Sequence, residues 1–104
     1  AEIDKLVELR LNDGSTEIVA IEMDGVQHFA AIDFFGGEVG FMATQFRDQR
    51  KNDNCQAKQV HLLRLGFDVS KDNYHNIVST FFDRVASNPS EWQFQCVGQH
   101  YTRD

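Results

Sequence analysis

At 104 residues, with 41% hydrophobic and 12% aromatic residues, the sequence has the size and composition of one globular domain covering residues 1–104. This composition excludes an intrinsically disordered protein, and no apolar run approaches the roughly 18 residues that are needed to span a bilayer. The formal net charge of −6 argues against nonspecific binding to nucleic acid or to anionic membranes. We therefore expect neither a membrane nor nucleic acid as a partner.

The charge is unevenly distributed along the chain. Residues 1–38 hold nine acids against Lys5 and Arg10, whereas residues 39–66 hold five bases against Asp48 and Asp53. An acidic first part and a basic central segment are compatible with a basic partner, and the bland alternative is that net charge only keeps a small protein in solution.

Two strands joined by a tight turn are predicted at the start of the chain. Residues 5–11 and 17–23 alternate apolar and polar side chains, which is typical of strands with one buried face. The Asn12–Ser15 segment between them contains Asp-Gly, a pair that tolerates the positive φ angles of hairpin turns.

A second Asp-Gly pair, Asp24-Gly25, predicts another hairpin, which leads into a third strand over residues 26–34. In that register Ile21 lies opposite His28, and Val19 lies opposite Ala30.

The following residues predict a continuing antiparallel sheet. Gly36-Gly37 would end the third strand, and residues 39–46 alternate as a fourth strand. The glycine-rich residues 36–40 are therefore interpreted as a hairpin, because a phosphate-binding loop needs a helix after it. The run from Arg47 to Asn54 has no apolar residue and is predicted to be an exposed loop tip.

Residues 57–65 fit two patterns. As a strand they place Val60 and Leu62 on one face, and as a helix Val60 and Leu63 form a weaker stripe. The strand is favoured because it continues the sheet.

Residues 70–86 form the best-specified element, an amphipathic helix. Its apolar stripe has the spacing i, i+3, i+4, i+7, i+8 and i+11 and comprises Tyr74, Ile77, Val78, Phe81, Phe82 and Val85. Ser70 is a suitable N-cap, and Pro89 ends the helix by excluding Asn88 from the helical region. A last strand is predicted from Trp92 to about Tyr101.

The element order β-β-β-β-β-α-β predicts an α+β domain of two layers. In this fold, one face of an antiparallel meander sheet packs on the single amphipathic helix at 70–86.

Motifs for catalysis, metal binding or cofactor binding are weak. The four histidines and two cysteines show no ligand spacing typical of zinc, so no metal and no cofactor are expected. No nucleophile lies in a recognisable signature, so no enzymatic activity is predicted. Cys55 and Cys96 are interpreted as free thiols of a cytoplasmic protein, or as a disulfide if the protein is periplasmic or secreted.

The favoured function is that of a small acidic protein that binds another protein without catalysis. It would cover a basic or active-site surface of a toxin, an effector or a host enzyme, as a stoichiometric inhibitor or immunity protein does. Carboxylates would steer the association and aromatic side chains would anchor it. The candidate partner-binding residues are Glu8, Glu17, Glu22, Asp24, Asp33, Glu38, Phe34 and Phe35.

Two alternatives remain open at this point. One is a structural or assembly subunit that oligomerises through its sheet edges, of which a homodimer is the simplest case. The other is a small ligand-binding or hydrolytic domain with a pocket near His28, His61 or Cys96. Phe41 and Phe46 add to an aromatic content that is high for one sheet face, which indicates either an exposed apolar patch or a sheet that is partly covered on both faces.

Overall fold

The computed structural model describes residues 5–29 and 37–102, which form an α+β fold. Within these ranges one sheet of four strands is accompanied by two helices. The elements in chain order are β1 (Lys5–Arg10), β2 (Thr16–Asp24), α1 (Gly37–Ala57), β3 (Val60–Gly66), α2 (Tyr74–Ser87) and β4 (Phe94–Val97). Short 3₁₀ turns cover Val26–His28, Lys71–Asn73 and Gln99–Thr102.

The sheet is mixed. Its strand order is β1-β2-β3-β4, with β1 antiparallel to β2, and with β2, β3 and β4 parallel to one another. Parallel neighbours cannot be joined by a tight turn, so the chain must cross over between them. The helices α1 and α2 lie in these two crossovers.

The predicted antiparallel meander is therefore wrong beyond its first hairpin. The proposed pairing of Ile21 with His28 fails because Ile21 lies between Lys5 and Leu63 in the sheet. Val19 likewise has both neighbouring positions filled, by Val7 of β1 and His61 of β3, and its predicted partner Ala30 lies outside the described residues. The physical reason lies at Gly25, whose extended backbone (φ −75°, ψ 178°) does not form the predicted two-residue turn.

The predicted strand over 39–46, the loop tip from Arg47 to Asn54 and the hairpin at 36–40 are also wrong, because residues 37–57 form one continuous helix. This helix has only Thr44 and Cys55 as buried residues. It therefore lacks the long buried apolar stripe by which a helix is recognised in a sequence. No helix within residues 5–29 and 37–102 is long and apolar enough to cross a membrane.

Helices cover both faces of the sheet, so the predicted two layers become three. Side chains alternate between the faces along a strand. Val19, Ile21, Leu63 and Leu65 share one face and form a core with Phe81 and Val85 of α2. On the opposite face, Ala20 and Leu62 pack with Cys55 of α1. Burial on both faces explains the nearly continuous apolar run of β3, which left residues 57–65 ambiguous.

The remaining elements follow the sequence pattern. The strand at 57–65 is confirmed, with its start at Val60, and all six stripe residues of the predicted helix pack in the α2 core. The helix begins later than predicted, at Tyr74, and the Ser70 hydroxyl instead caps the preceding 3₁₀ turn by accepting a hydrogen bond from the amide of Asp72 at 3.3 Å. The last strand is shorter than predicted, because Gly98 adopts φ 144° and residues 99–102 turn.

Phe81 supports a prediction about stability, because its side chain is completely buried against β2 and β3. Phe81→Ala should lower the free energy of unfolding by about 3–5 kcal/mol, and Phe81→Asp should prevent folding because it also buries an unpaired carboxylate. Thr80→Ala, next to it on the exposed side of α2, should change this free energy by less than about 0.5 kcal/mol. Urea denaturation followed by circular dichroism measures both values. Equal destabilisation by the two alanine variants would contradict this packing.

Candidate functional site

The face of the sheet that α1 covers holds a buried charge cluster, formed by Asp24, His28, Asp48, Arg64 and Tyr101. Arg64 lies on β3 and is only 2% exposed, and Asp24, at the end of β2, is 3% exposed. Ions are rarely buried in this way unless each has a partner.

Arg64 uses all three guanidinium nitrogens. Its Nη1 donates to both carboxylate oxygens of Asp24 at 3.0 Å, its Nε donates to Asn52 Oδ1 at 2.9 Å, and its Nη2 donates to the backbone carbonyl of Asp48 at 3.2 Å. Burial opposes the charged form, but the attraction and hydrogen bonds of Asp24 outweigh it and raise the pKa of Arg64. The guanidinium therefore joins two parallel strands to α1.

Two further side chains complete the cluster. The hydroxyl of Tyr101 donates to Asp24 Oδ2 at 2.5 Å, and burial together with this bond raises the pKa of Tyr101, so the hydroxyl keeps its proton. His28 Nδ1 lies 2.7 Å from Asp48 Oδ2, and this hydrogen bond raises the pKa of His28 despite partial burial. When His28 is protonated, two cations balance two carboxylates.

The cluster borders a polar concavity of about 330 Å³, which also reaches Cys96. Burial raises the pKa of the Cys96 thiol to about 11 and also raises the pKa of Cys55, so neither sulfur is a ready nucleophile at neutral pH. Both cysteines are free. The guanidinium of Arg64 already donates hydrogen bonds to Asp24, Asn52 and Asp48. The cluster therefore holds β2, β3 and α1 together.

His61 lies on the opposite face of the sheet, with Val19 and Leu63, and is almost completely buried. The backbone amide of Gln93 donates to its Nδ1 at 2.9 Å, so the ring proton lies on Nε2 and is donated to Glu17 Oε1 at 2.6 Å. His61 is therefore separated by the sheet from the concavity beside His28 and Cys96. In residues 5–29 and 37–102, no three potential ligands among His, Cys, Asp and Glu are grouped to hold a metal ion.

A second feature, the cationic groove, lies between α1 and the β1 side of the sheet. Its volume is about 490 Å³. The floor consists of Leu6, Ile18 and Val60. The wall consists of Arg47, Arg50, Lys51, Asn54 and Cys55 of α1, and of Lys58, which directly follows the last turn of the helix. It is lined by four of the ten basic residues of the chain and by no carboxylate.

A third feature, the outer stripe, lies on the N-terminal half of α1 and consists of Val39, Met42 and Phe46. Their spacing of i, i+3 and i+7 places them on one side of the helix. They are 78%, 65% and 66% exposed, respectively. Arg47 and Arg50 continue the outer stripe towards the cationic groove.

The residues predicted to bind a partner have different environments. Glu8 and Glu38 are exposed. Glu22 is buried and pairs with Lys51 at 2.8 Å, Asp24 pairs with Arg64, and Glu17 pairs with His61, so these three have partners within the chain. Asp33, Phe34 and Phe35 lie outside the described residues.

The cationic groove was missed by the sequence interpretation. Its polar wall residues 47, 50, 51, 54 and 58 follow the helical spacing i, i+3, i+4, i+7 and i+11, but the segment was interpreted as a loop because it lacks apolar residues. Charge periodicity was therefore the signal that could have located the groove.

The His28–Asp48 pair predicts a pH dependence of stability. Because the pKa of His28 is raised above its ordinary value of 6.5, its stabilisation is fully present below that value and is lost as pH rises through the folded-state pKa. The difference in unfolding free energy between wild type and His28→Asn should therefore be larger at about pH 6 than at about pH 8.5. Urea titrations at both pH values measure it. Asn76→Ala, at an exposed position on α2, removes no titratable group and is the control. A difference that grows with pH would refute the role of the pair.

Three features therefore describe the candidate site: a neutralised buried charge cluster, a cationic groove and an outer apolar stripe, all formed with α1. The first fixes the helix and the other two are open to binding. No protein-family model, curated protein sequence or solved structure is significantly similar to this chain.

Proposed function

We propose that this protein binds another protein stoichiometrically and without catalysis, as an inhibitor or immunity protein does, and that the outer face of α1 is its contact surface. The observation that carries the proposal is the outer stripe, with Phe46 and Met42 beside Arg47 and Arg50 on one helix. Phenylalanine, methionine and arginine are enriched in protein interfaces, and aromatic and arginine side chains often dominate their binding energy.

The outer stripe contributes little to folding, because its side chains remain largely in water. Complete burial of a side chain of this size stabilises a structure by about 1.5–3 kcal/mol. The largest gain available to Val39, Met42 and Phe46 therefore comes from a partner that covers them, which favours a binding role for this half of α1.

The charges flanking the outer stripe indicate the kind of partner surface that it fits. Glu38, exposed in the first turn of α1, precedes the stripe, and Arg47 follows it. A basic group on the partner, as expected from the sequence, would contact Glu38, and an acidic group would contact Arg47. This places the steering charges at the two ends of an apolar centre, which is the usual anatomy of an interface.

The state of the reactive groups supports a non-catalytic role. Burial raises the pKa of the Cys96 thiol, which therefore stays protonated at neutral pH. Arg64 and Tyr101 donate their hydrogen bonds to other members of the buried charge cluster. The two free cysteines support a reducing compartment such as the cytoplasm.

Assembly through sheet edges is supported less well. β1 is an edge strand of the described sheet, and it carries exposed Lys5, Glu8 and Arg10. Charged side chains on an edge strand hinder pairing with the edge of another sheet. Self-association through the outer stripe remains an outcome that the following experiment distinguishes.

The test is the double variant Met42→Glu/Phe46→Glu, which adds two charges to the outer stripe and leaves buried contacts intact. The partner recovered from the native cell lysate by immobilised wild-type protein should bind it in a 1:1 ratio by calorimetry. The variant should bind at least about tenfold more weakly, because two anchors are lost and two carboxylates are desolvated. Ser79→Glu/Thr80→Glu, on the exposed face of α2, adds the same charge and should bind like wild type.

Two results would contradict the proposal. One is unchanged affinity of the outer-stripe variant. The other is that wild-type protein alone is a dimer by light scattering and that the outer-stripe variant is a monomer, since the stripe would then be the contact between two copies of the chain.

A further inference from the structure

The cationic groove carries an inference about what the partner presents. Its wall residues Arg47 and Lys58 are separated by eleven helical steps, so the wall is about 16 Å long. Arg50, Lys51 and Asn54 lie between them on the same side of α1. The groove therefore offers a row of cations along one helix and not a single charged point.

Most of these cations are available to a ligand. Arg50 and Lys58 are exposed and form no ion pair with the described residues. Arg47 is also exposed, and its Nη2 donates to the hydroxyl of Thr44, a neutral group, at 3.2 Å. Lys51 differs, because it is half-buried and pairs with Glu22. Among residues 5–29 and 37–102, no carboxylate pairs with these three cations, although the net charge of the protein is −6.

The floor of the cationic groove is aliphatic. Ile18 and Val60 are paired neighbours on β2 and β3. Leu6 of β1 is 62% exposed, whereas Ala20, its paired neighbour on β2, is completely buried beneath α1. Burying Leu6 would contribute about 1.5–3 kcal/mol. A ligand that fits must therefore combine an apolar side for the floor with negative charges for the wall.

We propose that the cationic groove binds an acidic amphipathic segment of the partner protein, with its apolar side chains on Leu6, Ile18 and Val60 and its carboxylates on Arg47, Arg50 and Lys58. This inference rests on the proposed function and specifies the chemistry of the partner. A helix of about eleven residues matches the length of the wall. Its carboxylates at i, i+3 or i+4 spacing would match the cations, which follow the same spacing.

The groove favours such a segment over nucleic acid. None of its lining residues is aromatic, so it has no side chain on which bases could stack. An aliphatic floor offers nothing to a phosphate backbone, and the net negative charge of the chain opposes a polyanion more strongly than a short acidic helix.

The probe is a synthetic helical peptide of Leu and Glu, of about fifteen residues so that it exceeds the length of the wall. Fluorescence anisotropy should show that the full-length protein binds it, and that Arg50→Glu/Lys58→Glu lowers the affinity at least about tenfold by reversing two of the four wall charges. Lys5→Glu/Lys71→Glu makes the same change of net charge at exposed sites outside the groove and should stay within about threefold of wild type. Leu6→Ser should weaken binding severalfold, because it removes the exposed part of the floor.

The inference would be overturned if the peptide did not bind wild type at about 1 mM, or if a peptide with Lys in place of Glu bound equally well. Tighter binding of a single-stranded oligonucleotide would also overturn it. So would an equal loss of affinity in the groove variant and in its charge control. A neutral outer-stripe variant, Met42→Ser/Phe46→Ser, separates this test from that of the proposed function, because it leaves the wall charges unchanged and should bind the peptide normally. If the native partner depends on the outer stripe while the peptide fails, only the role of the groove is refuted. If the peptide binds in the groove and the native partner does not need the stripe, only the contact surface proposed above is refuted.

Discussion

The buried ion pair between Arg64 and Asp24 is the constraint on which the rest of this structure depends. A guanidinium that is almost completely buried destabilises a protein by several kcal/mol unless all its donors find partners. The carboxylate of Asp24 supplies two acceptors from the adjacent strand, and Asn52 and Asp48 must supply the others from α1. The pair thus fixes the register of β2 and β3, and it also dictates which side of α1 faces the sheet.

This constraint explains why polar side chains of α1 face the sheet and apolar ones face water, which is the opposite of an ordinary amphipathic helix. Its polar Asp48, Lys51 and Asn52 contact charged groups on the sheet, while Val39, Met42 and Phe46 remain in water. The helix is attached mainly by hydrogen bonds and ion pairs over its C-terminal half, so Val39, Met42 and Phe46 are not required for packing. Both surfaces to which we assign binding, the outer stripe and the cationic groove, follow from this arrangement.

Sequence patterns predicted the elements whose stability comes from apolar burial, and failed where burial is polar. The hairpin of β1 and β2, the strand β3 and the helix α2 were found because Val19, Leu63 and Phe81 belong to periodic apolar patterns. The helix α1 was missed because its buried face is polar, and the parallel topology was missed with it. Glu22 and Asp24 were interpreted as exposed steering charges because their partners Lys51 and Arg64 are 29 and 40 residues away in sequence. No local pattern reports such a pairing.

The parallel pairing of β2 with β3 also has a consequence for how the chain folds. The partners Ile18 and Val60 lie on either side of the whole α1 crossover, whereas β1 and β2 are joined by a tight turn and α2 is local. Closing the longer loop carries an entropic cost that local contacts do not, so β2 has an open edge during the early part of folding. Such an edge invites pairing between chains, and charged side chains discourage it. Glu22 and Asp24, which end as buried ion pairs, place two carboxylates on this edge until Lys51 and Arg64 pair with them.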